Sequence, residues 1–256
     1  MLLYVHIGTH KTGTTSIQAF GALLSLIAGG VLGSVLAGAI LLLLVAGFRT
    51  LVEQPFTIPS GAMVPTLLVG DQLFASKSAY GWSRHSLPWR SDLFGGRILG
   101  REPERGDVIV FKLPSDSQIY YIKRLIGLPG DRIQVVHGRL IINGEMVPRE
   151  QIAPYSTINH FGKPEEAPHY FETLPGGVKH EIIEIDGDEG TFDNTKVYEV
   201  PAGHYFVMGD NRDNSSDSRL AADQGGVGYV PFENLVGKAA FIFMSNDTGR
   251  FGAAVR

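Results

Sequence analysis

The sequence predicts a mainly β protein: an antiparallel β core carrying a smaller inserted β lobe, preceded by one N-terminal transmembrane helix. Three observations predict it. From Thr12 to Phe48 there is no charged residue. Beyond residue 50 come short runs rich in β-branched and aromatic residues. Gly, Pro and Asn-Gly punctuate those runs, and no helical period of useful length joins them.

The apolar stretch Phe20 to Phe48 is long enough to cross a bilayer as a helix. A buried core helix and a cleaved signal peptide are the competing readings. The first rarely runs so far without a charge, and an ordinary signal-peptide core is shorter. Gly29, Gly33, Ser34 and Gly38 put small residues on this helix, where a second helix could approach. Lys11 and Arg49 flank the stretch on either side, so local charge gives no orientation.

The strand runs are "GDVIVFKL" (Gly106 to Leu113), "YYIKRLIGL" (Tyr120 to Leu128), "RIQVVHGRLIINGEMV" (Arg132 to Val147) and "HYFVMGD" (His204 to Asp210). Asn143-Gly144 predicts a hairpin turn. Four divisions follow: a tail at 1–19, an anchor at 20–48, a core from 53–147 and 200–250, and a more polar inserted lobe at 148–199. Trp82 and Trp89 share one loop, which suits either a membrane interface or ordinary packing.

Composition removes several classes. The net charge is −4, from 22 basic and 26 acidic residues, with no long basic run, so nucleic-acid binding has no electrostatic support. With no cysteine there is no disulfide, thiolate metal site or cysteine nucleophile. The eight histidines are scattered and none forms HExxH, so a zinc hydrolase is not expected.

The chemistry gathers in three segments: "PSGAMVPTLLVGD" (Pro59 to Asp71), the run through Lys123, and "MGDNRDNSSDSR" (Met208 to Arg219). A serine hydroxyl needs a base before it can attack. Lys123 lies among apolar residues. Burial penalises its charged form and lowers its pKa, which would make it a base; a surface lysine on an edge strand fits the sequence equally well. Strand alternation sends Arg124 to the opposite face, so one of the two cations should face inward. Asp210, Asp213 and Asp217 suggest calcium, but the spacing lacks the Gly and Glu of an EF-hand.

In this order behind an apolar anchor, the three segments resemble the bacterial type I signal peptidases, membrane-bound serine proteases with a Ser–Lys dyad. The likeness runs from about residue 53 to about residue 245. It implies removal of signal peptides from exported preproteins, with no cofactor. It also implies a single-pass protein of the cytoplasmic membrane, with its catalytic domain on the outer face, beside the secretion translocase. Lys123 matches the family's general base. The nucleophilic serine falls at Ala62, which has no hydroxyl. Ser60 matches the serine that helps form the oxyanion hole, and Ser215 the serine that hydrogen-bonds and orients the lysine. Asp217 and Arg219 match a bracing charged pair, with Asp210, Asn211, Arg212 and Asp213 as turn framework. Phe56, Ile58, Met63, Leu67, Tyr121 and Ile122 resemble the walls of shallow pockets for the small side chains before the cut. In extended backbone Ser60 would share a face with position 62 but lie roughly 6 to 7 Å from it, too far to substitute.

One stretch does not fit. "YVHIGTHKTGTTSIQAF" (Tyr4 to Phe20) resembles the nucleotide-sulfate loop of bacterial sulfotransferases, with Lys11 and Thr12 to Thr15 in the phosphate-cradling places. No supporting α/β domain follows it. A signal-peptide receptor without catalysis, a nucleotide-dependent sulfotransferase and a repressor-type self-cleaving protease stand as alternatives.

Overall fold

The computed structural model describes residues 30–45, 47, 53–85, 96–158 and 164–256. The sulfotransferase-like loop, Trp89 and residues 20–29 of the expected anchor lie outside the described residues. The chain divides into two units, Met1–Phe48 and Arg49–Arg256.

In the first unit, residues 30–45 are helical. Among the described residues no helix is long and apolar enough to cross a membrane. The part that is described nonetheless exposes Val31, Leu32, Leu36 and the run Leu41 to Val45.

The second unit is built on a seven-stranded sheet. Its strands run in the order Glu53–Thr57, Gln72–Ser76, Leu235–Met244, Val108–Lys112, Tyr120–Gly127, His204–Met208 and Val230–Pro231. Every neighbouring pair is antiparallel. A four-stranded sheet contains Arg132–Val136, Arg139–Ile142 and Glu145–Met146, with Tyr198–Glu199 at its edge. Asn143 and Gly144 make the last hairpin turn with both φ angles positive, 56° and 85°, the geometry that Asn-Gly tolerates. Arg149–Gln151, His169–Thr173 and Lys179–Ile183 form a separate three-stranded sheet. Each apolar run thus becomes a strand, and among residues 53–256 the described helical turns are short 3-10 turns only.

The strand Tyr120–Gly127 departs from the alternation argument. Lys123 pairs with Ile109 and Arg124 with Val108, on opposite faces. Yet both are buried, Lys123 to 5% exposure and Arg124 to 0%. The expectation that only one cation faces inward is wrong because this sheet is covered on both sides. Arg124 is matched by the Asp210 carboxylate through two hydrogen bonds of 2.7 Å, and donates further to the Gly106 carbonyl at 2.8 Å and Thr66 Oγ1 at 3.2 Å.

Removing one partner of such a pair leaves a buried charge, at a cost of about 3–5 kcal/mol. Asp210→Ala is therefore expected to lose that much in urea denaturation. Burial alone would raise the Asp210 pKa, but the Arg124 guanidinium outweighs it and holds the carboxyl below its ordinary value. The pair's contribution is present at neutral pH and lost as pH falls through that depressed value. Acid titration of the wild type against Asp210→Ala should show the gap closing at low pH.

Candidate active site

The loop after Glu53–Thr57 is clamped at both ends. Ile58 N–H donates to the Asp71 carbonyl (2.8 Å), Gly70 N–H to the Ile58 carbonyl (2.9 Å), and Leu68 N–H to Asp71 Oδ2 (2.9 Å). Ser60 is extended, and Gly61–Met63 then close a single 3-10 turn. Position 62 is therefore not in extended backbone, and the strand-face relation to Ser60 expected from sequence does not hold. Met63 and Ile58 anchor the turn in the core, with Leu67 beneath.

The segment 208–219 is pressed against this turn. Asn211 donates from its N–H to the Ala62 carbonyl and from Nδ2 to the Gly61 carbonyl, both at 3.2 Å. Gly209 makes the approach possible. A Cβ there would lie 2.5 Å from the Ala62 carbonyl oxygen and would run into the Ser215 side chain. Position 62 and Ser215 thus meet across Gly209. Asp217 accepts from the Gly209 N–H at 3.1 Å and from Arg219 Nε and Nη2 at 3.0 and 2.9 Å, so the bracing pair also fixes the glycine.

A cavity of about 250 Å³ opens beside the turn. Ser60, Ala62, Met63, Tyr121, Ile122 and Lys123 line it, together with Pro59 and Tyr120. Burial is the main effect on Lys123 and lowers its pKa to about 8. Asp217 and Asp210 pull it upward and Arg219 pulls it down, but each carboxylate is already matched by an arginine. The amine makes no ion pair among the described residues, and its Nζ lies 5.5 Å from the centre of the Tyr121 ring.

The other expected residues fall differently. Leu67 is 0% exposed and Ile58 3%; both pack in the core cluster and neither lines the cavity. Phe56 does not line it either. It packs edge-on against Tyr120 at 5.1 Å and supports that wall from behind. Ser215 Oγ is buried but makes no hydrogen bond, so the Lys123–Ser215 bond that the resemblance implies is not formed. Asp210 braces the site through Arg124. Pro59, Tyr120 and Arg124 were missed as site residues, although each adjoins a residue that was singled out.

The family described as "Signal peptidase, peptidase S26" matches residues 31–244. The signal peptidase I of Rickettsia typhi is 42% identical over 207 residues, covering 77% of this chain and 74% of its own. That of Rickettsia akari is 40% identical over 226 residues, covering 81% and 80%. A crystal structure of a signal peptidase I from Enterococcus faecalis is 26% identical and covers 55% of this chain and 98% of its own, with a TM-score of 0.31. With its family match running across both the turn at 61–63 and the 208–219 segment, the chain belongs to the signal peptidase family, peptidase S26.

Proposed function

We propose that this chain is a signal peptidase I whose nucleophile position is held by alanine. It would bind the signal peptides of exported preproteins without cutting them. One observation carries the proposal: a buried amine with a pKa near 8 shares a cavity with position 62, where the side chain is a bare methyl. Everything around the missing oxygen is retained, including Ser60, Lys123 and Ser215. Long decay would have eroded some of them, so the alanine reads as an isolated change that turns a cutting site into a trapping one.

With serine restored at position 62, the chemistry follows. Neutral Lys123 accepts the hydroxyl proton as the serine oxygen attacks the scissile carbonyl. The Ser60 hydroxyl and the N–H of residue 62 would hold the oxyanion; one such donor is worth about 3 kcal/mol of barrier. Lys123 then gives its proton to the leaving amine, and water hydrolyses the acyl-enzyme. Tyr120, Tyr121, Ile122 and Met63 would shape the subsites for an extended Ala-x-Ala segment. The residues at 148–199 act as a lobe that supports this core. Residues 20–48 would anchor the chain in the cytoplasmic membrane, facing the exported side, near the translocase. The exposed apolar side chains of residues 30–45 support that, since a helix apolar all round needs lipid or protein to cover it.

A non-catalytic receptor is the second reading, favoured by the absent hydroxyl itself. Ala62→Ser separates the two. Under our proposal the purified full chain leaves a preprotein intact, and the Ala62→Ser variant cuts it after Ala-x-Ala. Binding that persists while the Ala62→Ser variant stays inert points to the receptor. Cleavage by the chain as it stands sinks both.

Because the base must be neutral, kcat/KM of Ala62→Ser should rise with pH to a plateau above an apparent pKa of about 8. A profile flat from pH 6 to about 9 would remove Lys123 from that role.

The same burial carries a stability cost. At neutral pH the folded chain must hold a charged amine out of water, a penalty on the order of 3 kcal/mol. The folded pKa lies below the unfolded one, so this penalty is fully present below about pH 8 and fades as pH rises toward 10.5. Lys123→Met should therefore raise the urea midpoint at pH 7, with a smaller gain at pH 10.

A further inference from the structure

Three carboxylates lie together away from the cavity, where the 184–193 loop meets the 208–219 segment. Glu184, Asp193 and Asp213 each offer an oxygen within 4.8 Å of the others. Glu184 and Asp193 are both 1% exposed, and Asp213 is half-buried.

Three oxygens of this cluster accept no hydrogen bond. Neither Glu184 oxygen has a hydrogen bond. Arg149 Nη1 forms a long ion pair with Glu184 Oε1 at 3.7 Å, while the same guanidinium is hydrogen-bonded to Asp188. Asp193 turns Oδ2 to the Gly190 N–H at 2.6 Å and leaves Oδ1 buried with nothing to accept. Asp213 accepts from the Asp186 N–H through Oδ2 at 2.7 Å. The other arginines of this region are taken, Arg212 by Glu172 and Arg219 by Asp217. A buried carboxylate left in this state is costly unless a charge compensates it.

Room has been kept for the arrangement. Gly190 has ordinary backbone angles, φ −65° and ψ 168°, which any residue adopts. A Cβ there, however, would collide with Oδ1 of Asp213. The glycine serves space, and the space is occupied by a carboxylate.

We propose that Glu184, Asp193 and Asp213 bind a calcium ion. The donors are all hard oxygens, with no nitrogen or sulfur that would select zinc or copper. Calcium accepts six to eight oxygens in flexible geometry, whereas magnesium demands a near-ideal octahedron and keeps most of its waters, so an irregular all-carboxylate cluster suits calcium better. Water would complete the coordination beside the half-buried Asp213. The ion would tie the 184–193 loop to the segment that carries Asn211, Ser215 and Asp217. Its role would be to hold that segment in place, with no part in the chemistry at position 62. The site therefore does not depend on whether the chain cuts peptides.

Calcium chloride titrated calorimetrically into the chelator-treated full chain tests this. One ion should bind per chain, with a Kd of about 10⁻⁴–10⁻³ M, the range of extracellular calcium modules, and magnesium more weakly. The urea midpoint should rise with calcium. Asp193→Asn keeps the shape and removes a charge; Gly190→Ala keeps all three charges and removes the space. Each should weaken calcium binding at least tenfold and abolish the calcium-dependent rise. Should either variant fail to fold, terbium luminescence on the unmodified chain, displaced by calcium, gives the stoichiometry directly. Absence of binding at about 10 mM calcium, or binding unchanged in both variants, overturns the assignment.

Discussion

One strand buries two cations in succession, and the rest of the site is arranged around that fact. Arginine stays charged at any accessible pH, so a buried Arg124 must be matched. Lysine can shed its proton, so a buried Lys123 can be left unmatched. The structure treats them in this way. Arg124 takes both oxygens of Asp210, while Lys123 receives no carboxylate. The two demands are linked in space because Asp210 follows Gly209, and Gly209 is where the segment meets the turn at position 62. The pair that neutralises one cation thereby delivers Ser215 and Asn211 to the neighbourhood of the other. Asp210 and Asp217 would otherwise raise the lysine pKa strongly. Each is held by an arginine, which leaves burial as the dominant effect.

The fold is also insulated from the identity of residue 62. The turn is fixed through the carbonyls of Gly61 and Ala62, which accept from Asn211, and through the buried side chain of Met63. None of these contacts uses the side chain of residue 62. Beside it lies open space, so an oxygen on that carbon has somewhere to go. Alanine at position 62 therefore leaves the scaffold of the turn undisturbed.

The strands were legible because each is a compact run of β-branched and aromatic residues bounded by turn residues. The Asn143-Gly144 hairpin was legible because few other dipeptides accept two positive φ angles. Alternation failed at Lys123 and Arg124, since it presumes one wet face and this strand is buried on both faces from Lys123 to Gly127. The resemblance named Ile58 and Leu67 as pocket walls, but a loop sequence does not reveal which apolar residues face a cavity and which face the core. The Arg124–Asp210 and Arg212–Glu172 pairs join residues 86 and 40 positions apart, and no local pattern announces such a bond. Ser215 shows the limit of resemblance: it meets position 62 across Gly209, but its hydroxyl makes no hydrogen bond.

Residues 164–199 have a physical reason to be present beyond their own sheet. Glu172, on His169–Thr173, accepts from the buried Arg212, and Ile183 forms a parallel bridge with Asn211. Arg212 N–H donates to the Ile183 carbonyl at 3.0 Å, and Ile183 N–H to the Asp210 carbonyl at 3.0 Å. The 208–219 segment is thus gripped on one side by the turn at 61–62 and on the other by this sheet. Three buried arginine–carboxylate pairs converge on it, through Asp210, Arg212 and Asp217. Buried pairs of this kind are weak net stabilisers, because desolvation offsets most of their attraction. What they supply is a penalty against every other position of the segment, since any displacement strands a charge. A site that depends on an unpaired amine facing a single side chain needs that penalty, because a misplacement of about 1 Å can cost a hundredfold in rate.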